Sequence, residues 1–464
     1  MSSSENSVEN NYDAVIIGFG KAGKTLGGAL AAAGRSVALI EESPKMYGGT
    51  CINVACIPTK ALVHRAKLSA IAGGSFQEKA DRYAKAVQRK DELTDKLRQK
   101  NYGKLADAPG AVVIDGRGSF VDAHHVAVEK DGERSVLCAT QIFINTGSRP
   151  FVPPIDGLQL GGHVYVSETM LDMSELPARL TIIGGGYIGV EFASMYANFG
   201  SKVTIIQDGA QFIPREDEQV AQKVLESLEG RGIEVIRSAQ VQHVSDGTDF
   251  ASVQIDIDGT QKTIDAEAVL VATGRRPNVE GLNLQAAGVE LTDRGAVKVD
   301  EHLRTSQPNI FAMGDVVGGL QFTYISLDDF RIVKSLLLGD GSRTIANRGA
   351  VPYCVFVDPP FSRVGLTEQE ARDQGYDVMV GSLAAAAIPK ANVVEQPEGL
   401  LKAVVDAKTG QILGAHLFCE ESHEIVNLLK VAIDAQVPYT ALRDAIFAHP
   451  TMSEALNDLF ASVK

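Results

Sequence analysis

The stretch GGTCINVACIPTK (residues 48–60) determines how the rest of the chain is interpreted. Cys51 and Cys56 stand five positions apart, which in a straight α-helix means a rise of roughly 7.5 Å. A disulfide needs Cα atoms within about 7 Å, so the segment must bend, or not yet be helical, for these thiols to join. Because Pro58 suits the first turn of a helix, we predict a regular helix over residues 58–69.

We interpret the two cysteines as a redox-active dithiol at the N-terminal end of this helix. The field of the helix there favours the thiolate over the thiol. The alternatives are two buried cysteines or a metal-binding pair. Metal sites usually use shorter cysteine spacings together with a second ligand cluster, and the sequence shows no such cluster.

Composition narrows the class of protein. The chain has 464 residues, of which 45% are hydrophobic and 22% charged, as in soluble globular proteins of several domains. The net charge of −14 argues against nucleic acid or an anionic membrane as a partner. Five cysteines form no disulfide framework, no apolar run reaches membrane-spanning length, and the first residues resemble neither a signal nor a transit peptide. We therefore expect a cytoplasmic protein, where a closing cysteine pair is more often catalytic than structural.

Residues 13–41 predict a dinucleotide-binding unit of strand, glycine turn, helix and strand. Gly18 permits the tight turn, Gly20 lets the backbone approach a pyrophosphate, and Gly23 lets the helix pack closely on the strand. Glu41 ends the second strand, where a carboxylate can bind a ribose diol.

The same unit recurs, because residues 16–41 align without a gap on residues 182–207. The second glycine set is Gly184, Gly186 and Gly189, and Gln207 stands opposite Glu41. Two units are stronger evidence than one and predict two dinucleotide cofactors. The alternative is that one repeat is a structural relic.

Further segments organise the remainder of the chain. Two matched strands end in Thr-Gly and mark domain boundaries: IFINTGSRP (142–150) and VLVATGRRP (269–277). A further strand over 309–313 leads to Asp315, whose carboxylate can reach a cofactor's hydroxyls. Residues 78–100 predict an exposed, charged helix. From residue 351 we predict an α+β domain with a hairpin turning at 408–410 and helices near 423–435 and 438–445.

Together these motifs resemble the two-dinucleotide-binding flavoprotein disulfide reductases, a family that includes glutathione reductase, dihydrolipoyl dehydrogenase and mercuric reductase. The resemblance runs from about Tyr12 to the C-terminus. VIIGFGKAGKTL, MYGGTCIN, GGLQFTYISLDDFRIV and HPTMSEALNDLF are most similar to bacterial members that serve in reactive-chlorine resistance. The resemblance implies an α/β fold with two Rossmann-like domains, for FAD and NAD(P), and a C-terminal α+β dimerisation domain. The implied bounds are 1–150 and 277–350 for FAD, 151–276 for NAD(P) and 351–464 for dimerisation.

The resemblance also implies functional residues. Cys56 matches the thiol that contacts the flavin and Cys51 the outer thiol that meets substrate. Two further pairs carry over: Lys60 with Glu191 as an ion pair beside the flavin, and His449 with Glu454 as an acid–base dyad supplied across a homodimer. Tyr187 matches the aromatic that covers the nicotinamide pocket. The cofactor-binding set is Gly18, Gly20, Gly23, Glu41, Thr50, Lys60, Gly116, Thr146, Gly147, Asp315, Gly184, Gly186, Tyr187, Gly189, Gln207 and Gly274.

The end of the second repeat predicts NADH over NADPH. Gln207 neither repels nor attracts a 2′-phosphate strongly, and it can hydrogen-bond a ribose hydroxyl. Asp208 adds a negative charge, and Arg215 has Glu216 and Asp217 beside it as expected partners. Three acids against one base between 207 and 217 disfavour a phosphate.

The function expected from the resemblance is an FAD-dependent NAD(P)H oxidoreductase that passes electrons through the dithiol to a small-molecule or metal-ion acceptor. The reactive-chlorine branch implies Cu(II) reduction and protection against hypochlorous acid. Alternatives are a dihydrolipoyl dehydrogenase, a low-molecular-weight disulfide reductase, a mercuric reductase-like enzyme, and, in another class, a flavin-based redox sensor. The sequence assigns no residue firmly as a metal ligand; Cys51 and Cys56 are candidates for transient copper contact.

The sequence departs from the family pattern in a few places. Ala55 stands where glycine is usual, and Gln321, Phe322 and Tyr324 replace residues that are often more aliphatic. Cys354, Cys419 and His423 match no family role. Cys419 and His423 would lie one helical turn apart, so a metal site there is an alternative to packing or dimer contact.

Overall fold

The computed structural model describes residues 10–464. The strands are β1 (Asn10–Ile17), β2 (Val37–Glu41), β3 (Ala111–Asp115), β4 (Arg117–Phe120), β5 (His125–Lys130), β6 (Glu133–Ile144), β7 (Ser148–Pro150), β8 (Val164–Val166), β9 (Arg179–Ile183), β10 (Lys202–Ile206), β11 (Glu234–Ile236), β12 (Ala239–Asp246), β13 (Ala251–Ile257), β14 (Thr260–Ala266), β15 (Ala268–Val271), β16 (Arg275–Pro277), β17 (Ile310–Ala312), β18 (Tyr353–Val355), β19 (Phe361–Gly365), β20 (Val378–Ala384), β21 (Leu400–Asp406) and β22 (Ile412–Phe418). The α-helices are α1 (Lys21–Ala32), α2 (Thr50–Asn53), α3 (Cys56–Ala72), α4 (Phe76–Ala106), α5 (Ser167–Met170), α6 (Tyr187–Phe199), α7 (Glu218–Gly230), α8 (Thr323–Leu338), α9 (Glu368–Asp373), α10 (Pro389–Val393), α11 (Ser422–Asp434), α12 (Tyr439–Arg443) and α13 (Ala455–Ala461).

The chain divides into two compact units. The first comprises the described residues up to Ala61 together with Val87–Phe151 and Gly274–Arg348. The second comprises Leu62–Ala86, Val152–Thr273 and Gly349–Lys464.

The first unit is built on a sheet in the order β3-β2-β1-β6-β5-β4, with β17 also paired to β6. Strands β1, β2, β3, β6 and β17 pair in parallel, whereas β4 and β5 form an antiparallel extension. The continuous apolar run of β1 follows from burial on both faces. Val15 and Ile17 pack in one core, and Ala14 and Ile16 pack in another that includes helices α1 and α8.

The second unit repeats the parallel arrangement in the order β11-β10-β9-β15-β8. The antiparallel meander β12-β13-β14 supplies much of the apolar core beside this sheet. These two parallel sheets are the two Rossmann-like folds that the internal repeat predicts.

A separate antiparallel sheet occupies the C-terminal part of the second unit, in the order β18-β19-β22-β21-β20. Helices α11 and α13 contribute Leu429, Leu456 and Phe460 to the core beneath it. The predicted hairpin, the two helices near 423–435 and 438–445, and the α+β class of this region are confirmed.

Two predicted helices differ in extent from the structure. The charged helix spans Phe76–Ala106 rather than 78–100, and Lys90 on it is buried instead of solvated. The helix predicted over 58–69 begins two residues earlier, at Cys56, and continues to Ala72. Among residues 10–464, no helix is both long and apolar enough to cross a membrane.

Candidate functional site

The cysteine segment is bent, as the spacing predicts. Gly48 and Gly49 adopt φ values of +97° and +82°, which favour glycine, and the chain then enters the four-residue helix α2 that carries Cys51. The helix stops after Asn53, and Cys56 is the first residue of α3. The two cysteines therefore belong to different helices, and the interruption between these helices lets the side chains interact across the bend.

The side chains of Cys51 and Cys56 lie within hydrogen-bond distance of each other. A hydrogen bond to Cys56, followed by burial, raises the pKa of the Cys51 thiol, whereas Thr323 and Lys24 act to lower it. Cys51 lies in the short helix α2 rather than at the start of the long helix, so the second thiol and burial act on its pKa in the direction opposite to the one expected from the helix field. The Cys56 Sγ also lies 3.5 Å from the Thr323 Oγ1.

The first glycine turn is tightly packed in the first unit. A Cβ on Gly18, whose φ is +101°, would come within 2.4 Å of the Asn145 carbonyl oxygen, and one on Gly20 within 2.4 Å of the Asn145 Oδ1. A Cβ on Gly49 would lie 2.8 Å from the Gly20 Cα. The loop that leads to Cys51 thus packs directly on the turn, and neither surface has room for a side chain.

The predicted acid at the end of β2 is fixed beside this turn. The Glu41 carboxylate accepts hydrogen bonds from the amides of Phe19 at 2.9 Å and Ser43 at 3.1 Å. Burial raises its pKa. The amide of Gly116 donates to the Glu41 carbonyl at 2.9 Å, so Gly116 also lies at this end of the sheet.

A second group of predicted cofactor residues lies in the same unit. Thr146 donates its hydroxyl to the Asn278 carbonyl at 2.7 Å, and a Cβ on Gly147 would lie 3.9 Å from the Thr50 Oγ1. Gly274, with φ of +111°, accepts a backbone hydrogen bond from Phe151 at 2.9 Å. These contacts place Thr50 and the Thr-Gly exit of β6 close together.

Asp315 is half-buried and held by a relay of side chains. Ser148 donates its hydroxyl to the Asp315 Oδ2 at 2.8 Å, and Arg275 donates to the same hydroxyl at 2.9 Å. Burial raises the pKa of Asp315. The neighbouring amide of Gly314 donates to the Asp329 carboxylate at 2.7 Å, which fixes the turn that carries Asp315.

The second glycine turn, in the second unit, repeats the geometry of the first. A Cβ on Gly184 would lie 2.5 Å from the Ala272 carbonyl oxygen, and one on Gly189 would lie 2.1 Å from the Gly184 carbonyl oxygen. Around Gly186, which precedes α6, a Cβ would meet no described atom within 4 Å. The open side of the turn therefore faces away from the sheet, at the N-terminus of a helix, where a phosphate can bind.

Gln207 is buried over this turn, with its amide in a defined orientation. The Nε2 donates to the carbonyls of Gln211 and, at 3.3 Å, Gly209. The Oε1 is buried and has no hydrogen-bond partner among the described residues. A Cβ on Gly185 would come within 2.1 Å of this oxygen, so an unpaired acceptor lies against the glycine turn.

The expected partners of Arg215 point elsewhere. Glu216 is buried and its Oε1 accepts the hydroxyls of Tyr187 and, at 2.7 Å, Tyr353. Asp217 pairs with the buried Lys402 at 2.8 Å. The prediction that these acids neutralise Arg215 is wrong, because both turn inward at the start of α7 while the Arg215 side chain is exposed.

Glu191 is buried on α6 and its Oε1 accepts a hydrogen bond from the Phe356 amide at 2.8 Å. Lys60 is half-buried on α3. Their pairing stays a prediction.

His449 and Glu454 are hydrogen-bonded to each other. The His449 Nδ1 lies 2.8 Å from the Glu454 Oε2, and the Thr451 amide donates to the Glu454 Oε1 at 3.2 Å. The hydrogen bond from His449 lowers the pKa of Glu454. The imidazole is 68% exposed whereas the glutamate side chain is 18% exposed, so the carboxylate orients a ring that faces outward.

Comparison with known families covers most of the chain. The family described as pyridine nucleotide-disulphide oxidoreductase matches residues 12–329, and its dimerisation domain matches residues 351–460. The chain belongs to the pyridine nucleotide-disulphide oxidoreductase family. Members of this family are FAD-dependent oxidoreductases that use NAD(P)H, and the dimerisation domain implies a homodimer.

Individual relatives cover nearly the whole chain. The probable pyridine nucleotide-disulfide oxidoreductase RclA of Escherichia coli K12 is 50% identical over 455 residues, which cover 98% of this chain and 100% of the relative. A mercuric reductase of Staphylococcus aureus is 34% identical, covering 98% and 83%, and a dihydrolipoyl dehydrogenase of Mycobacterium tuberculosis H37Rv is 34% identical, covering 97% of each. The solved structure of HOCl-induced flavoprotein disulfide reductase RclA from E. coli has a TM-score of 0.91 at 50% identity, covering 98% of this chain and 100% of that one. Its Cu(II) complex matches with a TM-score of 0.91 at 50% identity, covering 97% and 99%.

Several residues of the family fold were not singled out from the sequence. Asn145 accepts from the Gly23 amide at 2.8 Å and donates to the Met313 carbonyl at 2.7 Å, which ties the glycine turn to β17. Lys24 donates to the Gly48 carbonyl at 3.0 Å and to the Asn101 side chain at 2.7 Å, and burial lowers its pKa to about 8. Its ammonium thus secures the loop before the dithiol.

Thr323 is a further residue beside the dithiol that was not singled out from the sequence. It contacts Cys56 and lies between Phe322 and Tyr324, whose rings stack with centroids 5.1 Å apart. The unusual composition of residues 321–324 was the signal that could have identified it.

Two of the unassigned residues, Cys419 and His423, lie in packed surroundings. Cys419 is fully buried, and burial raises the pKa of its thiol. His423 packs its ring against Phe356 at 5.6 Å. Within residues 10–464, no three His, Cys, Asp or Glu side chains form a group that could hold a metal ion.

Proposed function

We propose that the protein passes electrons from NADH, through FAD and the Cys51–Cys56 pair, to an oxidant or metal acceptor in defence against reactive chlorine. The observation that carries this proposal is the packing of the dithiol loop on the first glycine turn, with Gly49 against Gly20. When bound, FAD supplies the two-electron chemistry that links a nicotinamide to a disulfide.

The residues of the first unit fit FAD. The glycine turn has no room for side chains and begins α1, as a pyrophosphate requires. Glu41 would accept from the ribose hydroxyls, and Asp315, with Ser148 behind it, would accept from the ribitol. Thr50, Gly116, Thr146 and Gly147 would complete the binding surface, which supports assigning 1–150 and 277–350 to FAD. The bounds 151–276 for NAD(P), with Gly274 near the end of that segment, and 351–464 for dimerisation are proposed alongside it.

The dithiol transfers electrons from the flavin to the acceptor. Cys56, at the start of α3, is assigned to the flavin side and Cys51 to the acceptor side. Oxidation of the two thiols to a disulfide releases two electrons, which reduce two Cu(II) ions to two Cu(I) ions, and two protons, which pass to solvent. The E. coli relative described as HOCl-induced was also solved as a Cu(II) complex, which supports Cu(II) as an acceptor here.

The His449–Glu454 dyad favours a second candidate, reduction of a small disulfide such as lipoamide. Glu454 holds the Nδ1, which leaves the Nε2 of an exposed imidazole available to take a proton from a thiol and return it. In the homodimer this ring would serve the dithiol of the other subunit. The Lys60–Glu191 pair is proposed to stabilise charge beside the flavin.

Gln207 supports NADH as the donor. Its unpaired, buried Oε1 can accept a hydrogen bond from a ribose 2′-hydroxyl, but it offers nothing to a 2′-phosphate. Because the acids near Arg215 do not neutralise it, Arg215 is the cation that would give NADPH residual use. The negative net charge and low cysteine count also support a cytoplasmic location.

The test is anaerobic turnover with NADH and a matched panel of Cu(II), lipoamide, glutathione disulfide and Hg(II). We expect two Cu(I) per NADH, trapped by a Cu(I)-specific chelator, in the wild type and in His449→Ala, with at least tenfold loss in Cys51→Ser. Lipoamide reduction that exceeds Cu(II) reduction and requires His449 would support the second candidate instead. Cu(II) reduction that is no faster than with free FAD would overturn the metal proposal, and slow turnover with every acceptor would indicate a sensor.

A further inference from the structure

A buried carboxylate in the second unit is shared by two tyrosines. The Glu216 Oε1 accepts the hydroxyls of both Tyr187 and Tyr353, and the two hydroxyl oxygens lie 3.5 Å apart. The two rings are 5.8 Å apart between centroids. One oxygen atom therefore holds a tyrosine of α6 and a tyrosine of β18 at the same time.

The rest of the Glu216 carboxylate is poorly compensated. Its Oε2 has no hydrogen-bond donor among the described residues, and its ion-pair partner, the Arg363 Nη1, lies 3.7 Å away. Arg363 is engaged with the Arg215 carbonyl, the Gly365 carbonyl and a carboxylate on α9. Burial raises the pKa of Glu216, and both hydroxyls oppose that shift. The carboxylate therefore depends strongly on its two tyrosine donors.

Tyr187 lies where it can control entry of a nucleotide. It follows Gly186, beside which the backbone is open, and it is the first residue of α6. The family resemblance implies that its ring covers the nicotinamide pocket, and this inference rests on the proposed function, in which NADH is the electron donor. A nicotinamide that displaces the ring must break the hydrogen bond between Tyr187 and Glu216.

We propose that Glu216 is a latch that holds the Tyr187 ring over the nicotinamide pocket, and that Tyr353 is the donor that stays on Glu216 when the ring moves. Both are positioning residues rather than catalytic ones. The latch sets how readily the nucleotide enters without contacting the nucleotide itself.

Substitutions in the two parts of the latch should change the affinity for the nucleotide in opposite directions, and this makes the proposal testable. Loss of the Tyr187 hydroxyl, or neutralisation of Glu216, frees the ring and should tighten nucleotide binding. Loss of the Tyr353 hydroxyl should weaken binding, because displacement of Tyr187 would then leave the buried Oε1 with no donor. Substitution of an ordinary packing residue would not give effects of opposite sign.

The experiment measures the Kd of NAD⁺ for the FAD-loaded dimer at pH 8 by calorimetric titration, which requires no turnover. We expect Tyr187→Phe and Glu216→Gln to lower Kd about three- to tenfold and Tyr353→Phe to raise it about three- to tenfold. In the double variant Glu216→Gln with Tyr353→Phe, the effect of Tyr353→Phe should fall below twofold, because the buried charge that needs the donor is gone. Tyr439→Phe, in the same part of the chain but away from Glu216, is the matched control and should leave Kd unchanged.

FAD content and the midpoint of thermal unfolding are measured for each variant. If Tyr187→Phe or Glu216→Gln does not fold, the other of these two substitutions, which is expected to have the same effect, replaces it. If all three single substitutions weaken binding, or if Tyr353→Phe has the same effect with and without Glu216→Gln, the latch is excluded. Failure of NADH to reduce the bound FAD of the wild type would overturn the proposed function instead. The two failures are therefore distinguishable.

Discussion

The substitution Gln207→Glu should increase the preference for NADH over NADPH about tenfold. In the wild type, the Gln207 Oε1 lies unpaired against the second glycine turn, where the adenosine ribose is proposed to bind. A carboxylate about 6 Å from a doubly charged 2′-phosphate would repel it by about 1.4 kcal/mol at the dielectric constant of water. That energy corresponds to a factor of about ten in kcat/KM.

The substitution Gln207→Glu also removes two hydrogen bonds that the wild-type side chain makes. The Gln207 Nε2 donates to the carbonyls of Gln211 and Gly209, and a carboxylate cannot replace these hydrogen bonds. This loss affects NADH and NADPH alike, so it cancels in the ratio of their kcat/KM values although it lowers both. The ratio is therefore the quantity to measure, with one fixed acceptor and low ionic strength.

Two controls isolate the charge effect. Gln211→Glu places the same charge on the exposed neighbouring side chain and should change the ratio less than threefold. Repeating the measurement at high salt should reduce the effect of Gln207→Glu, because screening shortens the range of the repulsion. A ratio that stays constant, or that moves toward NADPH, would refute the placement of Gln207 beside the ribose.

Three further predictions follow from the first unit and the dyad. Cys51→Ser should retain FAD and show a long-wavelength absorption band from a Cys56 thiolate against the flavin, whereas Cys56→Ser should not; a band that depends on Cys51 would reverse the two roles. Heterodimers of Cys51→Ser and His449→Ala subunits, each inactive alone toward disulfides, should recover activity from one intact site, and verified heterodimers without activity would count against a shared site. Asn145→Ala leaves the buried Gly23 amide and the Met313 carbonyl without this partner, which costs about 1–3 kcal/mol each. The dissociation constant of FAD, followed by its fluorescence, should therefore rise at least tenfold. An unchanged dissociation constant would show that this side chain does not organise the turn.

Local sequence patterns were sufficient for the elements that carry the cofactor turns. Gly18 and Gly184 both lie beneath a carbonyl at the end of a neighbouring strand, and a Cβ on either would approach that carbonyl oxygen to 2.4 and 2.5 Å respectively, so the gapless repeat in the sequence is also a repeat in space. The bend between Cys51 and Cys56 was predictable because the distance limits of a disulfide exclude a straight helix.

The contacts that organise these turns could not be predicted from local patterns. Asn145 is separated from Gly23 by 122 positions and Cys56 from Thr323 by 267, so only the completed sheet brings them together. The expected neutralisation of Arg215 failed for the same reason, since distant partners take both neighbouring acids.

The pKa of Cys51 is a second property that could not be predicted from the sequence. The sequence suggests a thiolate because a long helix follows the dithiol. The structure places Cys51 on a separate short helix, where the neighbouring thiol and burial outweigh the charge of Lys24. Which of these influences dominates depends on how the chain bends between two residues, and the sequence does not specify that geometry.

The most direct test of electron transfer through the dithiol is a thiol count during anaerobic titration with NADH. The oxidised wild-type enzyme, denatured after addition of one NADH per subunit, should show two more titratable thiols than the untreated enzyme, and Cys56→Ser should show no gain. Reduction of the flavin in the wild type without any gain in thiols, while Cu(II) or lipoamide is still reduced at the full rate, would contradict this route for the electrons.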